Sequence, residues 1–418
     1  MKIGSQPRRI FFGWAIVGAL GLTTVVSYGT TSYAFGALLA PIAEEQGWSR
    51  GALSGAYALG ILVAGVLGLP IGRLVDRFGG RLLMSAGSAL GGIILIALSR
   101  VRNVGEFDLL WGLGLGLATA LTFYPVSFTI VANWFERRRG AALAWFTTLG
   151  GLASPVFIPA AGWLVVHVGW RQTMVILGLT QLTVALPLHA LVVRRHPEDL
   201  GLLPDGRVEP EQPGRTARVA DWPSKGMTTR QALRDVAFWS LTLAGGVDQL
   251  ATMVVFGHQV ALMVSRGFDP VFAAGIAGLI GLASLPGRFL LNRLSDRYGA
   301  QELLTVVLAT LGLGVVVINL ASSAIWLYLY VVVYGVAFGA RSPLRASVMA
   351  QHYGRRAYGA ITAVQGVVMA VPAAFGPLAA GWLYDRLGDY QLAFWLTAGA
   401  FVISALLVLL TPHPRRVA

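Results

Sequence analysis

Cysteine is absent from this 418-residue chain, and charge is scarce. With no thiol there is no disulfide framework, thiolate metal site or thiol nucleophile. Asp, Glu, Lys and Arg make up 12% of the residues, about half the share that covers a water-soluble surface. Acids are the rarer sign, 19 against 32 Lys and Arg. The six histidines show no metal-ligand spacing, and there is no nucleotide-binding glycine loop or nucleophile–base constellation. These absences argue against an enzyme and call for no metal and no cofactor.

What is present is apolar. Hydrophobic residues reach 56% and the mean hydropathy is +0.67, a composition whose natural exterior is lipid. Apolar stretches long enough to span a bilayer alternate with short polar turns. They predict twelve spans near 11–40, 52–70, 82–99, 106–132, 140–165, 170–193, 237–264, 270–292, 302–321, 324–350, 357–382 and 390–411. The first is too long for a cleaved signal peptide and reads as a retained helix. Many of the 52 glycines fall inside the spans, as expected where helices pack closely in lipid.

With the N-terminus assigned to the cytoplasm, inner loops and tails carry 23 of the 32 Lys and Arg, outer loops six, and the spans three. This positive-inside bias predicts a multi-pass protein of the plasma (inner) membrane with both termini cytoplasmic. It also accounts for the formal charge of +13 without any nucleic-acid partner.

The segment 194–234, rich in Pro, Gly and charge, reads as a cytoplasmic linker with a short surface helix at its end. It separates 1–193 from 235–418, six spans each. The halves repeat: Gly72-Arg-Leu-Val-Asp76-Arg77-Phe-Gly79 returns as Asn292-Arg-Leu-Ser-Asp296-Arg297-Tyr-Gly299, 220 positions on. Gly47-Trp48-Ser49 returns as Gly267-Phe268-Asp269 at the same offset, and Gly162-Trp163 as Gly381-Trp382 at 219. Matches at one offset indicate duplication. Parallel six-helix repeats place a substrate path between the halves.

The loop Gly72–Arg81, G-R-L-V-D-R-F-G-G-R, resembles the signature of the major facilitator superfamily, and the second copy fits the same pattern. The resemblance implies an all-α membrane protein, two pseudo-symmetric six-helix bundles rocking about a cavity lined mainly by spans 1, 4, 7 and 10. Three passages are similar to the monocarboxylate transporter and oxalate:formate antiporter branch. They are Phe12-Gly13-Trp14, the run from Ala34 to Arg50, and Arg288 eight residues before Asp296.

Ionisable groups inside spans are costly, roughly 2.5–3.5 kcal/mol each on insertion scales, and so mark functional positions. Asp248 is the one acid deep within a predicted span. It is a candidate for proton coupling, because loss of water disfavours a carboxylate's charged form. The alternative is a permanent ion pair, with Arg288 as a possible partner. Arg288 itself carries a planar fork suited to a carboxylate, and the resemblance implies that it meets the substrate there. Arg341 lies in span ten on one helical face with Tyr334 and Arg345. It is expected to reach substrate, against a purely structural alternative.

Tyr28, Tyr33, Tyr124 and Tyr334 lie on the helices expected to line the cavity and offer a hydrogen bond beside an apolar face. His258, towards the outer part of span seven, is a candidate for substrate or proton contact. Gln365 is the polar side chain in span eleven between Val364 and Met369, and no lysine stands there. The dicarboxylate exchangers of the resembling branch use a second cation in that helix. Its lack favours a monocarboxylate such as lactate or pyruvate, unless Arg341 supplies the charge. Asp76, Arg77, Arg81, Asp296 and Arg297 in the repeated loops are expected to gate the halves.

The expected function is transport of a small monocarboxylate anion with a proton, by a monomer in the lipid bilayer. Three alternatives stay open: proton-independent organic anion exchange, proton-coupled efflux of hydrophobic compounds, and a non-transporting membrane sensor. The last is disfavoured because 235–418 ends just beyond its sixth span.

Overall fold

A computed structural model describes residues 11–122, 124–135, 138–206, 227–354 and 357–413. Among these it is all-helical apart from connecting turns. The spanning helices are α1 Phe12–Gln46, α2 Arg50–Phe78, α3 Gly80–Leu98 and α4 Val104–Val131. A long apolar stretch Ala141–Leu191 follows. The second set is α7 Val236–Ser265, α8 Pro270–Tyr298, α9 Ala300–Leu320, α10 Ala324–Tyr353, α11 Tyr358–Leu387 and α12 Gln391–Leu410.

The stretch Ala141–Leu191 has 51 residues, about 76 Å of helix at roughly 1.5 Å per residue. That is more than twice the hydrocarbon thickness of about 30 Å. It turns back at Gly169, whose backbone (φ 77°, ψ 163°) is open to glycine and strained for other residues. The two arms, 141–168 and 170–191, are α5 and α6. The twelve predicted spans are thus all present, and large apolar side chains such as Leu22, Ile93, Leu313 and Leu410 face outward, as lipid requires.

The duplication appears as equivalent local chemistry. Ser49 caps α2, its Oγ accepting from Ala52 N–H at 3.0 Å. Asp269 caps α8 in the same way, accepting from Phe272 N–H at 2.8 Å. Each cap satisfies a first-turn amide that would otherwise lack a partner. The predicted short helix at the end of the linker is Thr229–Ala232, closed by a capping box between Thr228 and Gln231.

The two sets of six meet chiefly along α2 against α11 and α5 against α8. Glycine permits the approach. A Cβ on Gly381 would stand 2.7 Å from the Arg50 carbonyl oxygen, and one on Gly278 would be 2.7 Å from Pro159. These contacts lie in the half of the molecule remote from the linker, here called the far face.

Candidate functional site

Between the two sets lies a cavity of about 670 Å³. Its walls come from both halves: Tyr28 and Tyr33 of α1, Tyr57 of α2, Tyr124 of α4, Thr147 of α5, Thr252 and Phe256 of α7, Arg288 of α8, and Phe338, Arg341 and Arg345 of α10. Five sequence candidates therefore share one space: Arg288, Arg341, Tyr28, Tyr33 and Tyr124.

Local backbone geometry gathers the tyrosines. Gly29–Tyr33 forms a π-helical turn, closed by Ala34 N–H donating to Gly29 O at 2.9 Å. An i→i+5 turn brings residues five apart towards the same face, and such turns recur at functional sites. Tyr28 and Tyr33 are five apart, and their ring centroids are 6.2 Å from each other. Tyr28 also meets Tyr124 at 5.2 Å, and Tyr33 meets Phe256 of the other half at 5.3 Å. Arg288 reaches across the interface and donates through Nη1 to the Thr147 carbonyl at 3.1 Å.

Asp248 is 2% exposed and sits behind this wall. Its Oδ1 accepts from Arg341 Nη1 at 2.9 Å, and its Oδ2 is 3.9 Å from Arg345 Nη1. Arg341 Nη1 also donates to Thr252 Oγ1, and its guanidinium carbon lies 5.1 Å over the Phe338 ring. The partner of Asp248 is thus Arg341, four residues from Arg345 on the same helical face, and Arg288 points to the opposite half. Breaking such a buried pair from one side costs about 3–5 kcal/mol.

Three candidates stand outside the cavity. Tyr334 is fully buried behind it, stacked on Phe338 at 6.1 Å and against Tyr330 at 5.3 Å. Gln365 is buried inside the second half, its Nε2 donating to Thr242 Oγ1 at 3.4 Å. His258 belongs to the closure of the far face. Its Nε2 lies 3.0 Å from Pro377 O and 3.4 Å from Ser54 Oγ, and its Nδ1 is 3.3 Å from Tyr390 Oη. Assigning the ring proton to Nε2, towards the Pro377 carbonyl, leaves Nδ1 to accept from the tyrosine.

That closure was not legible as a site in the sequence. Asp385, near the end of α11, accepts from the backbone N–H of Arg50 at 2.9 Å and of Gly51 at 2.7 Å. It thereby caps α2 across the interface, where the helix N-terminus favours a negative charge. The Arg50 guanidinium stacks 3.9 Å over the Tyr384 ring and donates to Tyr390 Oη at 3.0 Å. Burial pushes the Tyr390 phenol up to about 12, so it stays a donor at neutral pH. The one available signal was an acid at a span end in an acid-poor chain, too common to single out.

Of the loop residues expected to gate, Arg81 donates through Nε to the Ala190 carbonyl at 2.7 Å, within its own half. Arg297 is exposed, 5.4 Å from the Tyr298 ring centroid. The side chains of Asp76, Arg77 and Asp296 lie outside the described residues. Tyr57, Thr252, Phe256, Phe338 and Arg345 line the cavity too, though nothing in the sequence singles them out. Small, polar and aromatic residues in a membrane helix carry no mark of which face they present.

A profile of the Major Facilitator Superfamily matches residues 20–377 and 304–418. Monocarboxylate transporter 13 of Bos taurus is 27% identical over 426 residues, 99% of this chain and 92% of the relative. Monocarboxylate transporter 11 of Homo sapiens is 26% identical, covering 94% of this chain and 81% of its own. An uncharacterized MFS-type transporter of Bacillus subtilis (strain 168), YcxA, is 22% identical across 93% of this chain and 91% of its own. Among solved structures, a bacterial homolog of the human lysosomal transporter Spinster, in an inward-facing and occupied conformation, superposes with a TM-score of 0.70 at 17% identity. It covers 98% of this chain and 97% of its own.

Proposed function

The chain belongs to the major facilitator superfamily of multi-pass membrane transporters, and we propose that it carries a small monocarboxylate, lactate- or pyruvate-like, with a proton by alternating access. The observation that carries this reading is one cavity wall holding Arg288 beside the tyrosines and, within the same wall, Arg341 paired to a buried carboxylate. The names of the monocarboxylate transporter relatives support the substrate class.

In the proposed cycle the substrate carboxylate seats on Arg288, with the phenols of Tyr28, Tyr33 and Tyr124 along its short tail. A proton neutralises Asp248 and loosens its hold on Arg341, whose positive charge then also faces the anion. One proton and one monoanion together leave the site's net charge unchanged, so the loaded protein crosses its transition without extra charge in hydrocarbon. Opening the far face requires the Asp385 cap and the Arg50–Tyr390–His258 chain to part. The repeated loops on the linker face are proposed to take over as latches when the cavity opens the other way. The linker and both termini are assigned to the cytoplasm of a plasma (inner) membrane protein. The division into 1–193, 194–234 and 235–418, acting as a monomer, follows the same reading.

The test is uptake of labelled lactate into proteoliposomes, with and without an inward proton gradient. Gradient-driven uptake is expected for wild type and is lost in Arg288→Ala, while Asp248→Asn retains only exchange. Uptake indifferent to the gradient would replace symport by anion exchange. Unchanged transport in Arg288→Ala would sink the carboxylate site itself.

A further inference from the structure

We propose that the proton exchanges between Asp248 and the linker face through one buried water inside the second half, on a path separate from the substrate cavity. The inference rests on the proton role proposed above for Asp248 and adds its route. The first basis is access. With the far face closed, Asp248 is 2% exposed and is not among the described residues lining the substrate cavity. A proton approaching from that side meets Arg288, Arg341 and Arg345, with no Asp or Glu in the described lining. The positive potential that suits an anion repels a hydronium. Asp248 does border a second, much smaller cavity of about 10 Å³, together with Arg341, Arg345 and Ser404. That volume is at the lower bound for holding a single water, roughly 10–15 Å³.

The second basis is hydrogen bonding. A buried water needs polar partners, typically about three. The Arg341 side chain is 8% exposed, yet its Nε–H is buried without a partner, and a buried donor left unmade is expensive. Asp248 Oδ2 is 3.9 Å from Arg345 Nη1, beyond hydrogen-bond reach, and keeps acceptor capacity. Ser404 Oγ donates to the Ala244 carbonyl at 2.8 Å and retains its lone pairs. A water among these three accepts from Arg341 and donates to the carboxylate and the hydroxyl.

The third basis is direction. Every described residue lining the small cavity lies in the linker-side half of its helix: 241–248 of α7, 304–308 of α9, 341–349 of α10 and 404–408 of α12. One turn beyond Val348, His352 is buried, its Nε2 3.4 Å from Gln301 Oε1. Gln301 in turn donates at 3.0 Å to the carbonyl of Val408, which borders the small cavity. At the surface Glu302 pairs with His413 at 2.8 Å, and Asp235 accepts from Tyr353 Oη at 3.2 Å. The titratable and charged groups along the route are therefore Arg341, Arg345 and His352 of α10, Asp235 of α7, Glu302 of α9 and His413 after α12. On release, the Asp248 O–H breaks and its proton passes to the water, which hands one of its own towards His352 and the linker face. The carboxylate regains its charge and its hold on Arg341.

The experiment fills the small cavity. Val348 and Val408 both line it, and Val348→Ile or Val408→Ile adds one methylene where one water fits. The full-length protein in proteoliposomes is assayed for gradient-driven net uptake of lactate and for lactate exchange without a gradient. In each variant net uptake is expected to fall roughly tenfold or more while exchange stays within about twofold of wild type. Net uptake at the wild-type rate in both variants would overturn the route, the proton then passing through the substrate cavity. An equal fall in net uptake and exchange would overturn it as well, because the small cavity would then matter for packing alone. A second readout needs no variant. A high-resolution crystal structure of the wild type is expected to show an ordered water within hydrogen-bond reach of Arg341 Nε, and density with none there would overturn the proposal. Wild-type uptake indifferent to the gradient would instead remove the symport reading, and this route with it.

Discussion

The two halves share a scaffold and divide the chemistry between them. At the offset of 220, Asp248 corresponds to Tyr28, Arg288 to Gly68, Arg341 to Leu121 and Arg345 to Pro125. Every charged residue in the described lining of the central cavity comes from the second half, and the first half answers with phenols, apolar and aromatic side chains and small residues. The backbone logic did not diverge in the same way. Gly79 and Gly299 both turn with positive φ, 80° and 90°, and Ser49 and Asp269 both cap. A duplicated fold keeps the residues that set its turns and caps, while the cavity wall is where the copies differ. In the proposed cycle this has a functional consequence: a proton on Asp248 would act on the guanidiniums of its own half, whereas a substrate between Arg288 and the tyrosines would touch both.

The largest expected effect comes from breaking the charged half at its centre. Arg341→Ala leaves Asp248 buried without its closest partner, and a loss of about 3–5 kcal/mol in stability is expected. Adding Asp248→Asn should restore most of it, since the burden is the uncompensated charge. Thermal unfolding in detergent of the two single variants and the double gives the coupling. An additive result would mean that the pair contributes nothing as a pair, and the contrast between the halves would lose its energetic meaning.

A smaller effect is expected where the halves touch. Asp385→Ala removes the cap from the Arg50 and Gly51 amides, an interaction of about 0.5–2 kcal/mol. It is made across the interface in the closed far face, so its loss biases the protein towards opening there. Because the chain has no cysteine, a single Ile61→Cys in the cavity wall can be labelled cleanly. A membrane-impermeant maleimide applied from the far face is expected to react roughly twofold to thirtyfold faster in the Asp385→Ala background. Unaltered labelling would mean that the aromatic stack around Arg50 holds the face shut without the carboxylate.

These contrasts show what was legible beforehand. Span positions, duplication and linker follow from long apolar runs, repeated Gly and cap residues, and charge placement, all one-dimensional signals. Asp248, Arg288 and Arg341 were visible because charge in hydrocarbon is rare and costly. Their pairing was not, because Arg288 and Arg341 both lie on helices that border α7, and spacing along the chain does not say which guanidinium meets the acid. Tyr334 and Gln365 were misplaced for a similar reason. A rotation of some 100° per residue decides whether a side chain faces a cavity or a neighbouring helix, and without strong amphipathicity the sequence carries little of that phase. The π turn at Gly29–Tyr33 shifts the phase once more within α1.

The smallest expected effect tests the uncharged half. Tyr124 packs at a tilt against Tyr28, ring centroids 5.2 Å apart, and stacks on Phe128 at 5.4 Å. Its hydroxyl oxygen lies 2.7 Å from where a Cβ on Gly150 would stand. Tyr124→Phe keeps the stack and removes only the hydroxyl, a neutral hydrogen bond of about 0.5–1.5 kcal/mol. KM for lactate should therefore rise roughly twofold to tenfold at nearly constant kcat. The dependence of uptake on the proton gradient should not change, because the proton is assigned to the other half. A loss of gradient dependence in Tyr124→Phe would show the two halves sharing the proton, and their division of labour would fail at its simplest point. A fall in kcat without a change in KM would instead move Tyr124 from substrate binding to the conformational step.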